Sequence, residues 1–148
     1  MPISIVENRD CMEAMKEFPD NHFSLACVDP PYGIGADEQQ NESAKSGRIS
    51  NGGRWKEYKP TQWDRNIPTA EYFNELLRVS KNQIIWGGNY YELPLSGVVV
   101  WFKGYNGTLP DGEFAKASFK TFRVFSLSRV DAYINCQDVK IHPTQKPV

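Results

Sequence analysis

An α/β fold with a mostly parallel sheet and an antiparallel edge is what this sequence predicts. The apolar runs Phe23-Ser24-Leu25-Ala26-Cys27-Val28, Gln83-Ile84-Ile85-Trp86 and Val98-Val99-Val100-Trp101-Phe102-Lys103 have the length and make-up of sheet strands. Segments with helical spacing precede the first two of them. Phe122 to Ser128 alternates, as a strand of an antiparallel edge does. At 148 residues the chain suits one domain, residues 1–148, large enough for a real core.

The totals exclude several classes. A formal net charge of −1 carries no global nucleic-acid signature, so any DNA contact must come from local basic patches. No apolar run reaches the length of a membrane span, and no signal peptide is visible. Cys11, Cys27 and Cys136 are odd in number and widely spaced, without metal-ligand or disulfide-framework spacing. A reducing cytoplasm is the natural compartment.

From the start, Ile3-Ser4-Ile5-Val6 reads as a short strand. Asp10 suits a helix N-cap, Met12, Met15 and Phe18 recur at helical spacing, and Pro19 stops the helix. With the strand at Phe23 this makes strand–helix–strand and a parallel pair. Residues 33–66 are polar and rich in Gly, Ser, Asn and Gln up to Pro60, with no sustained periodicity. Arg48, Arg54, Lys56 and Lys59 alternate there with Trp55, Tyr58 and Trp63. That mixture suits phosphate contacts with aromatic support, or equally a solvated loop anchored by its tryptophans. Pro68 to Ser80 reads as a helix whose apolar face is Tyr72, Phe73, Leu76, Leu77 and Val79. The strand at Gln83 ends in the permissive turn Gly87-Gly88. Phe114 to Phe119 fits helix or strand. The aromatics of 122–128 read as core rather than as a stacking platform.

Asp29-Pro30-Pro31-Tyr32 ends the first clear strand. Each proline biases the residue before it toward extended backbone, and Pro31 offers no N–H. The expected product is a stiff turn presenting a carboxylate, a free Pro30 carbonyl and an aromatic ring in one direction. Ligands of open α/β sheets bind at the carboxyl ends of strands. Two acceptors beside a ring suit a flat base with an exocyclic amino group: the acceptors take the amino hydrogens and Tyr32 stacks. The plain alternative is a proline turn whose aspartate bonds its own backbone. Near the other end, Lys140-Ile141-His142-Pro143-Thr144-Gln145-Lys146-Pro147 makes a rigid extended stretch with several polar donors.

Asp-Pro-Pro-Tyr after an apolar strand resembles the catalytic motif of the DNA amino-methyltransferases, which act on adenine N6 or cytosine N4. The run from Arg78 to Tyr91 is similar to the helix–strand–loop that follows this motif, and residues 142–147 match the family's His-Pro-Thr-Gln-Lys-Pro string. The order matches the circular arrangement in which the catalytic motif precedes the cofactor-binding segment.

The resemblance implies a Rossmann-like fold and S-adenosyl-L-methionine as cofactor. It implies Asp29, Pro30, Pro31 and Tyr32 as the catalytic group. It sets Asp10 and Cys11 near the cofactor adenine, with capping an equal role for Asp10. It puts Asp29, His142, Thr144 and Lys146 at the cofactor as well. It turns residues 33–66 toward DNA, with Arg48, Arg54, Lys56 and Lys59 as phosphate contacts. An aspartate in the first motif position is more usual in adenine-modifying members, so adenine N6 is the expected target, in a prokaryotic or phage restriction–modification setting. The family's Phe-x-Gly-x-Gly turn and ribose-binding acid do not occur before Val148. The expectation is therefore an incomplete catalytic domain, completed by a further C-terminal segment or by homo-oligomerisation. Methyl transfer to RNA bases or a protein amide, and a catalytically silent nucleic-acid-binding or assembly fragment, are the competing readings.

Overall fold

The computed structural model describes residues 5–36, 49–50, 53–54, 62–104 and 110–128. Helix α1 (Cys11–Lys16) begins at Asp10, whose carboxylate accepts from the backbone N–H of Met12 at 2.8 Å and of Glu13 at 3.1 Å. That is ordinary N-capping. Strand β1 (Ala26–Val28) follows, then a two-residue ladder of β2 (Ile49–Ser50) and β3 (Gly53–Arg54). Helix α2 (Ala70–Val79) buries Phe73, Leu76 and Val79. Strands β4 (Gln83–Trp86), β5 (Gly97–Phe102), β6 (Gly112–Ala117) and β7 (Phe122–Ser126) complete the order.

The fold is α/β with a five-stranded mixed sheet in the order β1-β4-β6-β5-β7. β1 runs parallel to β4, and β7 parallel to β5, while β6 runs against both β4 and β5. The expected mostly parallel sheet with an antiparallel edge is thus corrected: the reversed strand lies in the interior. The cause is local. β5 and β6 are close in sequence and pair over six residues, from Gly97↔Ala117 to Phe102↔Gly112. Near neighbours in sequence pair antiparallel most easily. Of the segment 114–119, which fitted helix or strand, this pairing resolves 114–117 as strand.

β1 and β4 form a parallel pair with α2 between them in sequence. The expected strand at 3–6 does not form in its described part: Ile5 and Val6 lie in irregular backbone, 77% and 93% exposed. The run 23–28 is also less buried than its composition implies. Only Ala26–Val28 forms a continuous ladder, Phe23 makes an isolated bridge to Ser80, and Leu25 is exposed. β1 is a sheet edge, so only the side carrying Ala26 and Val28 packs on the core. At the other edge, β7 pairs parallel to β5, not antiparallel, and its aromatics are not core: Phe122 is 73% exposed and Phe125 37%.

The core lies on both faces of the sheet because neighbouring strand residues alternate. Ile85 joins Met15, Phe73, Leu76, Val79 and Tyr91 on the helical face. Trp86 joins Trp101 and Ala115 on the other. Arg78 ties the helices together. Its guanidinium donates to the carbonyls of Met15 (3.0 Å) and Phe18 (2.9 Å) and pairs with Glu75 (2.8 Å) and Asp20 (3.0 Å). The two carbonyls lie at the end of α1, where a cation is favoured.

Candidate active site at the end of the first strand

β1 and β4 are parallel, so their carboxyl ends share one edge of the sheet. Asp29-Pro30-Pro31-Tyr32 leaves β1 there, and Gly87 to Tyr91 leaves β4. The two segments meet through three tyrosines. Tyr32 Oη donates to Asp29 Oδ1 at 2.5 Å. The Tyr32 ring stacks on Tyr90, with centroids 4.8 Å apart and planes 12° off parallel. The buried Tyr91 places its Oη 2.8 Å from the carbonyl oxygens of both Pro30 and Pro31. The sequence led us to expect a free Pro30 carbonyl; the structure corrects this, since it accepts from Tyr91. A buried tyrosine hydroxyl needs an acceptor, and a proline carbonyl with no competing ladder is the nearest one.

Gly87 makes the close approach possible. Its φ is +71°, and a Cβ there would lie 2.2 Å from the Tyr32 ring. Burial, and then the hydrogen bond to Asp29, push the Tyr32 hydroxyl well above the usual tyrosine range. Burial pushes Tyr91 up in the same way, with the Asp29 charge second. Both hydroxyls are thus proton donors at neutral pH.

Asp64 fixes the turn from beneath. It is 1% exposed. Its Oδ1 accepts from the backbone N–H of Tyr32 (2.6 Å) and Gly33 (3.0 Å), and its Oδ2 from Ala36 (2.9 Å). Its own carbonyl accepts from Gly35 N–H at 3.0 Å. A buried carboxylate is tolerated only with such a set of donors. Sequence reasoning missed Asp64. The one signal was its place between Trp63 and the Ile67-Pro68 pair, at the end of a polar stretch.

A cavity of about 460 Å³ opens beside the turn. Its walls are the start of α1 (Cys11, Met12), the turn Asp29-Pro30-Pro31, and the segment 66–69 with Tyr72. This is the size of a small-molecule site. Met12, Ile67, Pro68 and Tyr72 give apolar wall, and Asp29, Asn66 and Thr69 give a few polar groups. Burial pushes the Tyr72 hydroxyl up to about 12.

The structure brings together Cys11, Asp29, Pro30 and Pro31 at the cavity, with Tyr32 bonded to Asp29 beside it. Asp10 lies one residue from the cavity wall and uses its carboxylate for capping. His142, Thr144 and Lys146 lie outside the described residues, as do Arg48, Lys56 and Lys59. Arg54 is described only as backbone in β3. The stretch 33–66 is not wholly irregular, since β2 and β3 pair antiparallel in the register Ile49↔Arg54 and Ser50↔Gly53, a ladder that its polar composition hid. No helix of the described residues is long and apolar enough to cross a membrane. No protein-family model matches the chain, and no curated protein matches it.

Proposed function

We propose that this chain is the catalytic part of an S-adenosyl-L-methionine-dependent DNA methyltransferase acting on the exocyclic amino group of a flipped base, adenine N6 in particular. The observation that carries the reading is the shared wall: the Asp29-Pro30-Pro31 turn and the start of α1 border one ligand-sized cavity at the carboxyl end of β1. That is where α/β sheets bind their ligands. The motif resemblance supports the same reading, with the Rossmann-like methyltransferase fold as its structural counterpart.

Cys11, Met12, Asn66, Thr69 and Tyr72 would hold the cofactor, with Asp29 at its border with the base. Bound there, S-adenosyl-L-methionine would supply an electrophilic methyl group. The chain's own task is to prepare the amine. An exocyclic amino nitrogen is a weak nucleophile because its lone pair is delocalised into the ring. A hydrogen bond from the amino group to Asp29 draws that nitrogen toward tetrahedral geometry. It also stabilises positive charge as it grows there. A carboxylate accepts several hydrogen bonds and a carbonyl oxygen two, so the contacts from Tyr32 and Tyr91 do not exhaust Asp29 and Pro30. No enzyme nucleophile is needed.

The test is incorporation of labelled methyl groups into DNA, with calorimetry for cofactor binding. Asp29→Ala should lower transfer by roughly 10²–10³-fold. Asp29 is exposed but is the acceptor of the Tyr32 hydroxyl, so unfolding free energy should fall by about 1 kcal/mol, with the chain still folded. Full activity of this variant would remove the proposed role. Absence of cofactor binding by the parent chain would favour the silent nucleic-acid-binding fragment instead.

A further inference from the structure

We propose that Tyr90 holds the place of the target base on Tyr32, and that a base enters by displacing it. This rests on the base-methylating reading of the site and deepens it. The Tyr90 ring is nearly parallel to Tyr32 at 4.8 Å, which is the geometry a stacked base would adopt. The hydrogen-bond pattern around it has the same character. The Tyr32 and Tyr91 hydroxyls donate to Asp29 and Pro30, the two acceptors assigned to a base amino group. Three tyrosines thus supply one ring and two donors, the same set that an amino-bearing base would bring.

The members of this set differ in freedom. Tyr32 is pinned, with its backbone N–H on buried Asp64 and its ring against Gly87. Tyr91 is buried in the core. Tyr90 is 40% exposed, and its backbone sits on a turn in which its N–H bonds the Gly87 carbonyl at 2.8 Å. Rotation of the Tyr90 side chain would free the Tyr32 face without disturbing that turn. The incoming ring must outcompete a tyrosine stack. A purine has more stacking surface than a pyrimidine, so the exchange favours adenine over cytosine.

Fluorescence anisotropy with short single-stranded oligo(dA), oligo(dC) and oligo(dT) tests this on the whole chain, using the parent, Tyr90→Ala, Tyr90→Phe and Tyr32→Ala. Tyr90→Ala should bind oligo(dA) roughly 3- to 10-fold more tightly than the parent, the size of one aromatic stack. Oligo(dC) and oligo(dT) affinities should rise by the same factor, because displacing Tyr90 costs every base alike. Tyr90→Phe keeps the ring and should match the parent. Replacing Tyr90 by Ala in the Tyr32→Ala background should change nothing, since no stack remains to exchange. Weaker or unchanged oligo(dA) binding by Tyr90→Ala overturns the placeholder while leaving the methyltransferase reading intact. If the parent chain binds none of the oligonucleotides, the base-binding reading falls and the placeholder with it. Should Tyr90→Ala lose its folded circular dichroism, Tyr90→Leu takes its place with the same expected direction.

Discussion

The two edges of the sheet are built in opposite ways. β1 is three residues long, yet the chain just beyond it is held on several sides: by Asp64 through three backbone N–H groups, and by the Tyr91 hydroxyl at two carbonyls. β7 is five residues long and rich in aromatics, yet every one of its residues is exposed. Apolar content alone therefore does not decide what becomes fixed. At the β1 edge a buried charge orders the backbone because leaving its donors unpaired would be costly. At the β7 edge, ladder hydrogen bonds to β5 place the strand, and few side chains are left to lose packing.

Removing the buried charge should give the largest effect. Asp64→Ala leaves three backbone N–H groups without their acceptor, two of them on the motif residue Tyr32 and its neighbour Gly33. The expected loss is about 3 kcal/mol or more in urea unfolding. Asp64→Asn keeps one acceptor oxygen and should lose less. If Asp64→Ala unfolds no more easily than a β7 variant, the contrast between the two edges is wrong.

Much of the fold was legible because its signals are local. Helical spacing of Met12, Met15 and Phe18, and of Phe73, Leu76 and Val79, placed both helices to within a residue or two. The run Gln83–Trp86 marked β4 without error. What failed was strand pairing, which no single run displays. Nothing in the run Val98–Lys103 says that its partner lies ahead of it in the chain, or that this partner will insert between it and β4. Phe122–Ser128 does lie at an edge as expected, but nothing in it says that it will run parallel to β5. The site divides along the same line. Asp29 and Tyr32 were legible from one short string, whose stiffness is a property of its own prolines. Asp64 and Tyr91 act on that string from 30 to 60 residues away through hydrogen bonds. Such partners have no periodicity to reveal them.

A second way to sharpen the contrast uses pH. Burial holds the Tyr72 hydroxyl up at about 12, from an ordinary value of 10.0. The folded chain therefore keeps a proton that the unfolded chain releases near pH 10. Stability is full below that point and falls as pH rises toward 12. Tyr32 and Tyr91 are shifted in the same direction, so all three weaken the β1 end in alkali. Tyr72→Phe should flatten part of the decline in thermal melts between pH 9 and 11. An unchanged slope would mean that the hydroxyl is better solvated than its surroundings indicate.

The smallest effect belongs to β7. Val124 is 59% exposed and faces the same side as its partner Val100. Val124→Thr keeps the branched shape that strands favour and removes one exposed methyl. Unfolding free energy should move by no more than about 0.5 kcal/mol. The informative measurement is concentration dependence. An apolar edge strand is a template for pairing with other chains, and a polar substitution on it blunts that tendency. Light scattering at rising concentration should therefore show less association for Val124→Thr than for the parent, with unfolding unchanged. A loss well above 1 kcal/mol in dilute solution would show instead that Val124 is covered in the folded chain, and the two edges would then differ in what covers them rather than in whether they are covered.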